Sequence, residues 1–150
     1  MKIAVSACLL GDPVRYDGGA KPCPAVMALA ARSDVEVVRV CPEVAARLPV
    51  PRPPAEQRGG RVLLADGTDV TEAFVRGSEL SLQEVLAAGV ECAVLKSNSP
   101  SCGAGIIYDG TFTGTRVPGW GTFSALVRDA GIPVVTEDEV RSTVPPCPGR

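Results

Sequence analysis

The sequence predicts an α/β domain: a mainly parallel sheet of about four to five strands, helices on both faces and short hairpin insertions. Three observations predict it. Apolar runs without polar alternation stand at residues 2–7, 35–40, 91–96 and 132–136, as in strands buried on both faces. Helical segments with an apolar face fall between them. Turn residues mark the boundaries, drawn from 16 glycines and 14 prolines.

Lys2–Ala7 is a short buried strand that ends at Cys8. Gly11-Asp12-Pro13 and Asp17-Gly18-Gly19 are turn signals. Pro24–Arg32 is a helix with proline at its start, and Val35–Val40 is β-branched, hence a strand stopped by Cys41-Pro42. Leu48–Pro54 is a proline-rich loop. Arg61–Leu64 is expected as one arm of a hairpin turning at Asp66-Gly67. Asp69 or Thr71 caps a long helix that runs to about Ala88 and stops at Gly89. Glu91–Lys96 is the next strand, followed by the polar loop Ser97–Gly105. Ile106–Tyr108 and Thr111–Thr113 are expected to pair around Asp109-Gly110, a type I′ signal. Thr122–Ala130 is helical to Gly131, Ile132–Thr136 is the last strand, and Glu137–Ser142 a final helical turn.

At 150 residues the chain fits one domain, with about 143–150 as a loose tail. A formal net charge of −2 and a pI near 5.2 leave no basic stripe, so DNA is not an expected partner. No apolar run approaches a membrane span. Val5-Ser6-Ala7-Cys8 imitates a lipidation box, but too little apolar sequence precedes Cys8 for a secretory signal. A cytoplasmic, reducing location is expected.

The composition is most informative at its extremes, 6 Cys and 0 His. Without histidine there is no Ser-His or Cys-His dyad and no imidazole metal ligand. Proton transfer falls to carboxylates, hydroxyls, lysine or thiols. Cys8, Cys41 and Cys102 each follow a predicted strand, so a parallel sheet gathers them at one edge. Structural zinc usually takes four ligands in close pairs, and no Cys-x-x-Cys occurs. Thiolates also suit iron–sulfur clusters, and a 4Fe–4S cluster on three cysteines leaves one iron open as a Lewis acid. Each cysteine alone is equally a small buried hydrophobe. Cys92 reads as core, Cys23 as a spare thiol near the same edge and Cys147 as tail. The phosphatase Cys–Arg spacing, the P-loop and the dinucleotide fingerprint are all absent.

Several segments together are similar to the thiouracil desulfurase family. They are Cys8-Leu9-Leu10-Gly11 with Arg15-Tyr16-Asp17-Gly18-Gly19, Cys41-Pro42-Glu43-Val44, Pro51–Glu56, Asp66–Thr71, Leu95-Lys96, Ser99-Pro100-Ser101-Cys102-Gly103 and Ile107–Gly110. The resemblance runs from Cys8 to about Glu137. It implies a Rossmann-like fold and a 4Fe–4S cluster held by Cys8, Cys41 and Cys102. It implies removal of sulfur, as sulfide, from thiolated uracil or a related nucleobase, with the substrate sulfur on the open iron. Glu43 and Ser99 would assist proton transfer. Iron–sulfur assembly machinery would load the cluster, in a monomer or homodimer. One departure stands out: where the family usually has a Gly-Gly step, this chain has Ala45-Ala46-Arg47.

The residues themselves leave alternatives. Glu43 could instead cap a helix N-terminus, and Ser99 and Ser101 could be turn-formers around Pro100. Asn98 could read a base edge or cap the loop. Arg15, Asp17, Arg52 and Glu56 suggest a salt-bridge frame, and Lys96 fits either role. A non-catalytic cluster-binding or redox-sensing domain and a cluster-free persulfide or thiol enzyme are the competing functions.

Overall fold

A computed structural model of the chain describes residues 1–140. Cys147, the 143–150 tail and the end of the Glu137–Ser142 turn lie outside them. In chain order the elements are β1 (Lys2–Ser6), α1 (Pro24–Ala30), β2 (Glu36–Val40), α2 (Pro42–Ala45), β3 (Ala55–Arg58) and β4 (Arg61–Leu64). There follow α3 (Thr71–Ala88), β5 (Cys92–Leu95), β6 (Ala104–Tyr108), β7 (Arg116–Trp120), α4 (Thr122–Asp129) and β8 (Val134–Thr136). Single 3₁₀ turns cover Ala7–Leu10 and Glu137–Glu139.

The central sheet has the order β2-β1-β5-β8, and its neighbouring strands are all parallel. Alternate residues feed two cores. Ile3, Val5, Cys92 and Val94 pack with Val26 and Leu29 of α1 on one face. Ala4, Ala93 and Leu95 pack with Val85 of α3 and with Phe123 and Val127 of α4 on the other. Strands buried on both faces need no polar alternation, which is why the apolar runs located them. Each fully buried Val, Ile or Leu contributes about 1.5–3 kcal/mol of hydrophobic stabilisation. The chain runs from β1 to the edge strand β2, then crosses back to β5 on the far side of β1. This reversal opens a crevice at the C-terminal strand ends, where open α/β sheets bind ligands.

Both hairpins differ from expectation. The full strand partner of β4 is β3, before it in sequence; beyond Asp66-Gly67 the expected pairing is only a single antiparallel bridge, Leu63 to Asp69, with the Val70 N–H donating to the Val62 carbonyl. Gly59 and Gly60 both take positive φ (59° and 79°), the conformation of a two-residue type I′ turn. Asp66-Gly67 does turn the chain back along β4, with the Asp66 carboxylate accepting from the Thr68 N–H and the Leu64 N–H donating to the Thr68 carbonyl, before α3 begins. In the second hairpin β6 pairs with β7, so Thr111–Thr113 lies in the connecting loop and not in an arm. Asp109 accepts from the Thr111 N–H and hydroxyl, which turns the chain without the tight pairing that Asp109-Gly110 predicts.

Candidate active site

Three strand ends bring three thiols to one cavity. Cys8 sits in the 3₁₀ turn after β1, Cys41 immediately precedes α2 after β2, and Cys102 lies in the loop after β5. All three line a cavity of about 580 Å³, within the usual range for small-molecule sites. Glu43, Ser99 and Ser101 line it too. Cys92 is 1% exposed in the core strand β5, as expected, but its sulfur is in a disulfide and is not the free core thiol that the sequence suggested. Cys23 packs beside the first core, and the cavity lining does not include it.

Glycines set how closely the supporting elements approach. A Cβ on Gly77 of α3 would fall 1.9 Å from the Pro42 carbonyl oxygen and 2.8 Å from the Ala46 Cβ. Gly77 therefore lets α3 press directly on α2, the element that carries Glu43. The Ala45-Ala46 step needs no glycine of its own. Ala45 is helical and Ala46 follows at φ −75°, so neither needs glycine's freedom; the positive φ (62°) falls on Arg47.

The Cys102 loop is held by the start of α4. The Thr122 N–H donates to the Pro100 carbonyl, and the Phe123 and Ser124 N–H groups donate to that of Ser101. The unpaired N–H groups of a helix N-terminus are thus satisfied by the loop itself. A Cβ on Gly121 would lie 2.3 Å from the Ser101 oxygen, so only glycine permits this contact. The Ser99 Oγ accepts from the N–H groups of Ser101 and Cys102 (3.2 and 3.0 Å). These bonds tie the loop around Pro100 and leave the Ser99 hydroxyl in the cavity wall beside Ser101.

Glu43 has both carboxylate oxygens engaged. Arg52 Nε donates to Oε1 at 3.0 Å, and the Ser101 hydroxyl donates to Oε2 at 2.9 Å. Ser101 and Ser99 hydroxyls are 3.1 Å apart. With the Ser101 proton on Glu43, Ser99 donates to Ser101, making a chain from Ser99 through Ser101 to the carboxylate. The partner that touches Glu43 is Ser101 (1% exposed). Its position beside Cys102 was the available signal. The expected salt-bridge frame forms only in part, as the Arg15–Asp17 pair. Arg52 pairs with Glu43, Arg15 and Asp17 stand 4.0 Å apart, and Glu56 accepts from the Gly110 and Phe112 N–H groups. The Arg52 side chain is 6% exposed and also donates to the carbonyls of Pro49 and Val14. It is a brace for Glu43. Asn98 lines the cavity at φ 64°.

Burial pushes all three thiols above the ordinary cysteine range. Cys8 rises to about 11 through burial, opposed by Lys96 and reinforced by Cys41. Cys102 rises to about 12 through burial; hydrogen bonds with Ser6 and Ser101 oppose this, and Cys41 and Cys8 add to it. Cys41 rises through burial against the Val44 N–H, with Glu43 adding to the rise. Among the described residues no three His, Cys, Asp or Glu side chains converge closely enough to hold a single metal ion. A multi-iron cluster binds each thiolate at a different iron and suits a more open ring of sulfur donors. The all-thiol donor set and the shared cavity fit such a cluster, whose binding must displace the three thiol protons.

A second charged pair joins Lys96, in the cavity wall, to Glu137 in the turn after β8. Lys96 Nζ lies 2.8 Å from Glu137 Oε2 and also donates to the Ser97 hydroxyl and carbonyl. Burial alone would raise the Glu137 pKa, but hydrogen bonds from Lys96 and the Ser97 N–H outweigh it and the net shift is downward. A carboxyl whose folded pKa lies below its unfolded value stabilises above the unfolded pKa, and that stability is lost as pH falls through the folded one. Glu137→Gln should cost about 1–3 kcal/mol at neutral pH. It should also flatten the acid limb of thermal midpoint against pH, measured by circular dichroism from neutral pH to about pH 3, below the usual carboxylate range. Parallel curves for the two proteins would remove Glu137 as a source of that limb.

A parallel α/β sheet with three thiols, a braced carboxylate and a serine pair at its switch-point crevice has the form of a small-molecule site with an all-sulfur donor set. The 2-thiouracil desulfurase family model matches residues 3–139, and the chain belongs to that family. A solved structure described as the 4Fe–4S-dependent thiouracil desulfidase TudS is 50% identical, with a TM-score of 0.85 over 93% of this chain and 92% of that one. The uncharacterized protein YbbK of Bacillus subtilis (strain 168) is 36% identical over 148 residues, 92% of this chain and 97% of its own. No described helix is long and apolar enough to cross a membrane.

Proposed function

We propose that the chain is an iron–sulfur-dependent desulfurase that converts thiolated uracil, or a related thiolated nucleobase, and water into the oxygenated base and hydrogen sulfide. The carrying observation is the convergence of Cys8, Cys41 and Cys102 on one cavity with the braced carboxylate of Glu43. Cys8, Cys41 and Cys102 would hold a 4Fe–4S cluster, which supplies a thiophilic Lewis-acid iron without a protein ligand. Glu43 handles the protons: it takes one from the attacking water and returns one to the departing sulfur. Arg52 and Ser101 fix the orientation of its carboxylate. Ser99 extends the hydroxyl chain into the cavity as a proton path. The reaction exchanges C=S for C=O with no net oxidation, so no further redox partner is required.

The raised thiols weigh against a cluster-free nucleophile, because a reactive cysteine needs a lowered pKa. The close carboxylate–serine unit weighs against a purely sensing domain, which has no protons to move. We read the chain as one domain of the reducing cytoplasm, loaded by iron–sulfur assembly machinery. Anaerobically reconstituted protein should release sulfide from 2-thiouracil in step with uracil formation, followed by methylene-blue assay and chromatography. Reconstituted, iron-loaded protein that releases neither would overturn the reading.

A further inference from the structure

The chain has only six aromatic residues: Tyr16, Phe74, Tyr108, Phe112, Trp120 and Phe123. Phe74 and Phe123 are core. Tyr16, Tyr108 and Phe112 line the thiol cavity, so half the aromatic side chains stand at one site. Phe112 is the unusual one. It sits at φ 59°, a conformation that a bulky side chain rarely adopts and that marks backbone held in place by its surroundings.

The loop is built to hold it there. Glu56 Oε1 accepts from both the Gly110 and Phe112 N–H groups (3.0 and 3.2 Å). Gly110 leaves no room for a side chain against β3, since a Cβ would meet the Arg58 Cβ at 2.5 Å. Asp109 holds Thr111 through its N–H and hydroxyl. The hydroxyls of Thr111, Thr113 and Thr115 form a ladder at 2.6 and 2.9 Å. The threonines alternate with Phe112 and Gly114, and it is these two that line the cavity. The rigid loop thus commits its one aromatic ring to the cavity wall.

The geometry points to Phe112 as the platform on which the planar base of the substrate stacks, a specificity-determining residue for aromatic heterocycles over open-chain thiocarbonyls. This rests on the reaction proposed above, and the test separates the two. Cluster-loaded wild type, Phe112→Ala, Phe112→Leu and Phe112→Trp are titrated calorimetrically with uracil and assayed with 2-thiouracil and with thiourea, which has the C=S group but no ring. Phe112→Leu keeps the bulk and removes the π face, so it decides the matter where Phe112→Ala fails to fold. Phe112→Leu and Phe112→Ala should weaken uracil binding and raise KM for 2-thiouracil by about tenfold or more, within the range of base–aromatic stacking. Iron content should not change, any turnover of thiourea should fall less than that of 2-thiouracil, and Phe112→Trp should retain both uracil affinity and KM. Unchanged uracil affinity and KM in Phe112→Leu, or no measurable uracil binding by wild type, overturns the stacking role. Uracil binding that depends on the Phe112 ring in a protein that releases no sulfide upholds stacking and sinks the reaction.

Discussion

Serine at Cys8, Cys41 or Cys102, one at a time, is expected to abolish the brown colour of reconstituted protein and take iron from about four atoms per chain to near none. Serine at Cys23 should leave both unchanged. The three residues share one cavity, each at the end of a different strand, so removing one leaves a gap in the ring that no neighbouring thiol fills. Cys23 precedes α1, its N–H bonded to the Leu9 carbonyl, and its side chain packs with the core. Because the thiols are buried and raised, as far as about 11 and 12 for Cys8 and Cys102, they are protonated at neutral pH without metal. Cluster loading should therefore release protons and weaken steeply in acid. Iron assay and the visible absorption band of each variant check this. A Cys23→Ser protein without iron would mean four protein ligands and no open iron.

This convergence was legible in the sequence because it needs only coarse structure. Three apolar runs and the parallel rule place the residues after them at one sheet edge, whatever the separation along the chain. Glu43 followed because it lies two residues beyond Cys41. Contacts between loops were not legible in the same way. Arg52 was visible as a charged residue near the site, but its choice of Glu43 over Asp17 depends on the path of the 47–54 loop. Ser99 and Ser101 are interchangeable on paper; the α4 N-terminus, docked through Gly121, decides which hydroxyl reaches the carboxylate. The Lys96–Glu137 pair joins the ends of adjacent strands β5 and β8, and register is what brings them together. Turn chemistry also hid part of the hairpins: Asp66-Gly67 turns back on β4 only as far as one bridge, the longer pairing through Gly59-Gly60 was not anticipated, and Asp109 spent its side chain on Thr111.

Glu43→Gln should keep colour and iron but lower sulfide release by about 10²–10⁴-fold, the usual contribution of a positioned acid–base group. Glutamine fits the same space. It offers one acceptor oxygen where glutamate offers two, so it can receive from Ser101 or from Arg52 but not both. The fold should tolerate this, since α2 is held chiefly by the close approach of Gly77 to Pro42 and Ala46. Arg52→Met and Ser101→Ala touch the carboxylate's orientation and not the substrate, so they should lower kcat less than Glu43→Gln does. They should also shift the pH profile of kcat, which a merely structural loss would leave in place. Full sulfide release by iron-loaded Glu43→Gln would move proton handling off this carboxylate. With no histidine in the chain and Lys96 already committed to Glu137 and Ser97, the serine chain would then be the nearest remaining path.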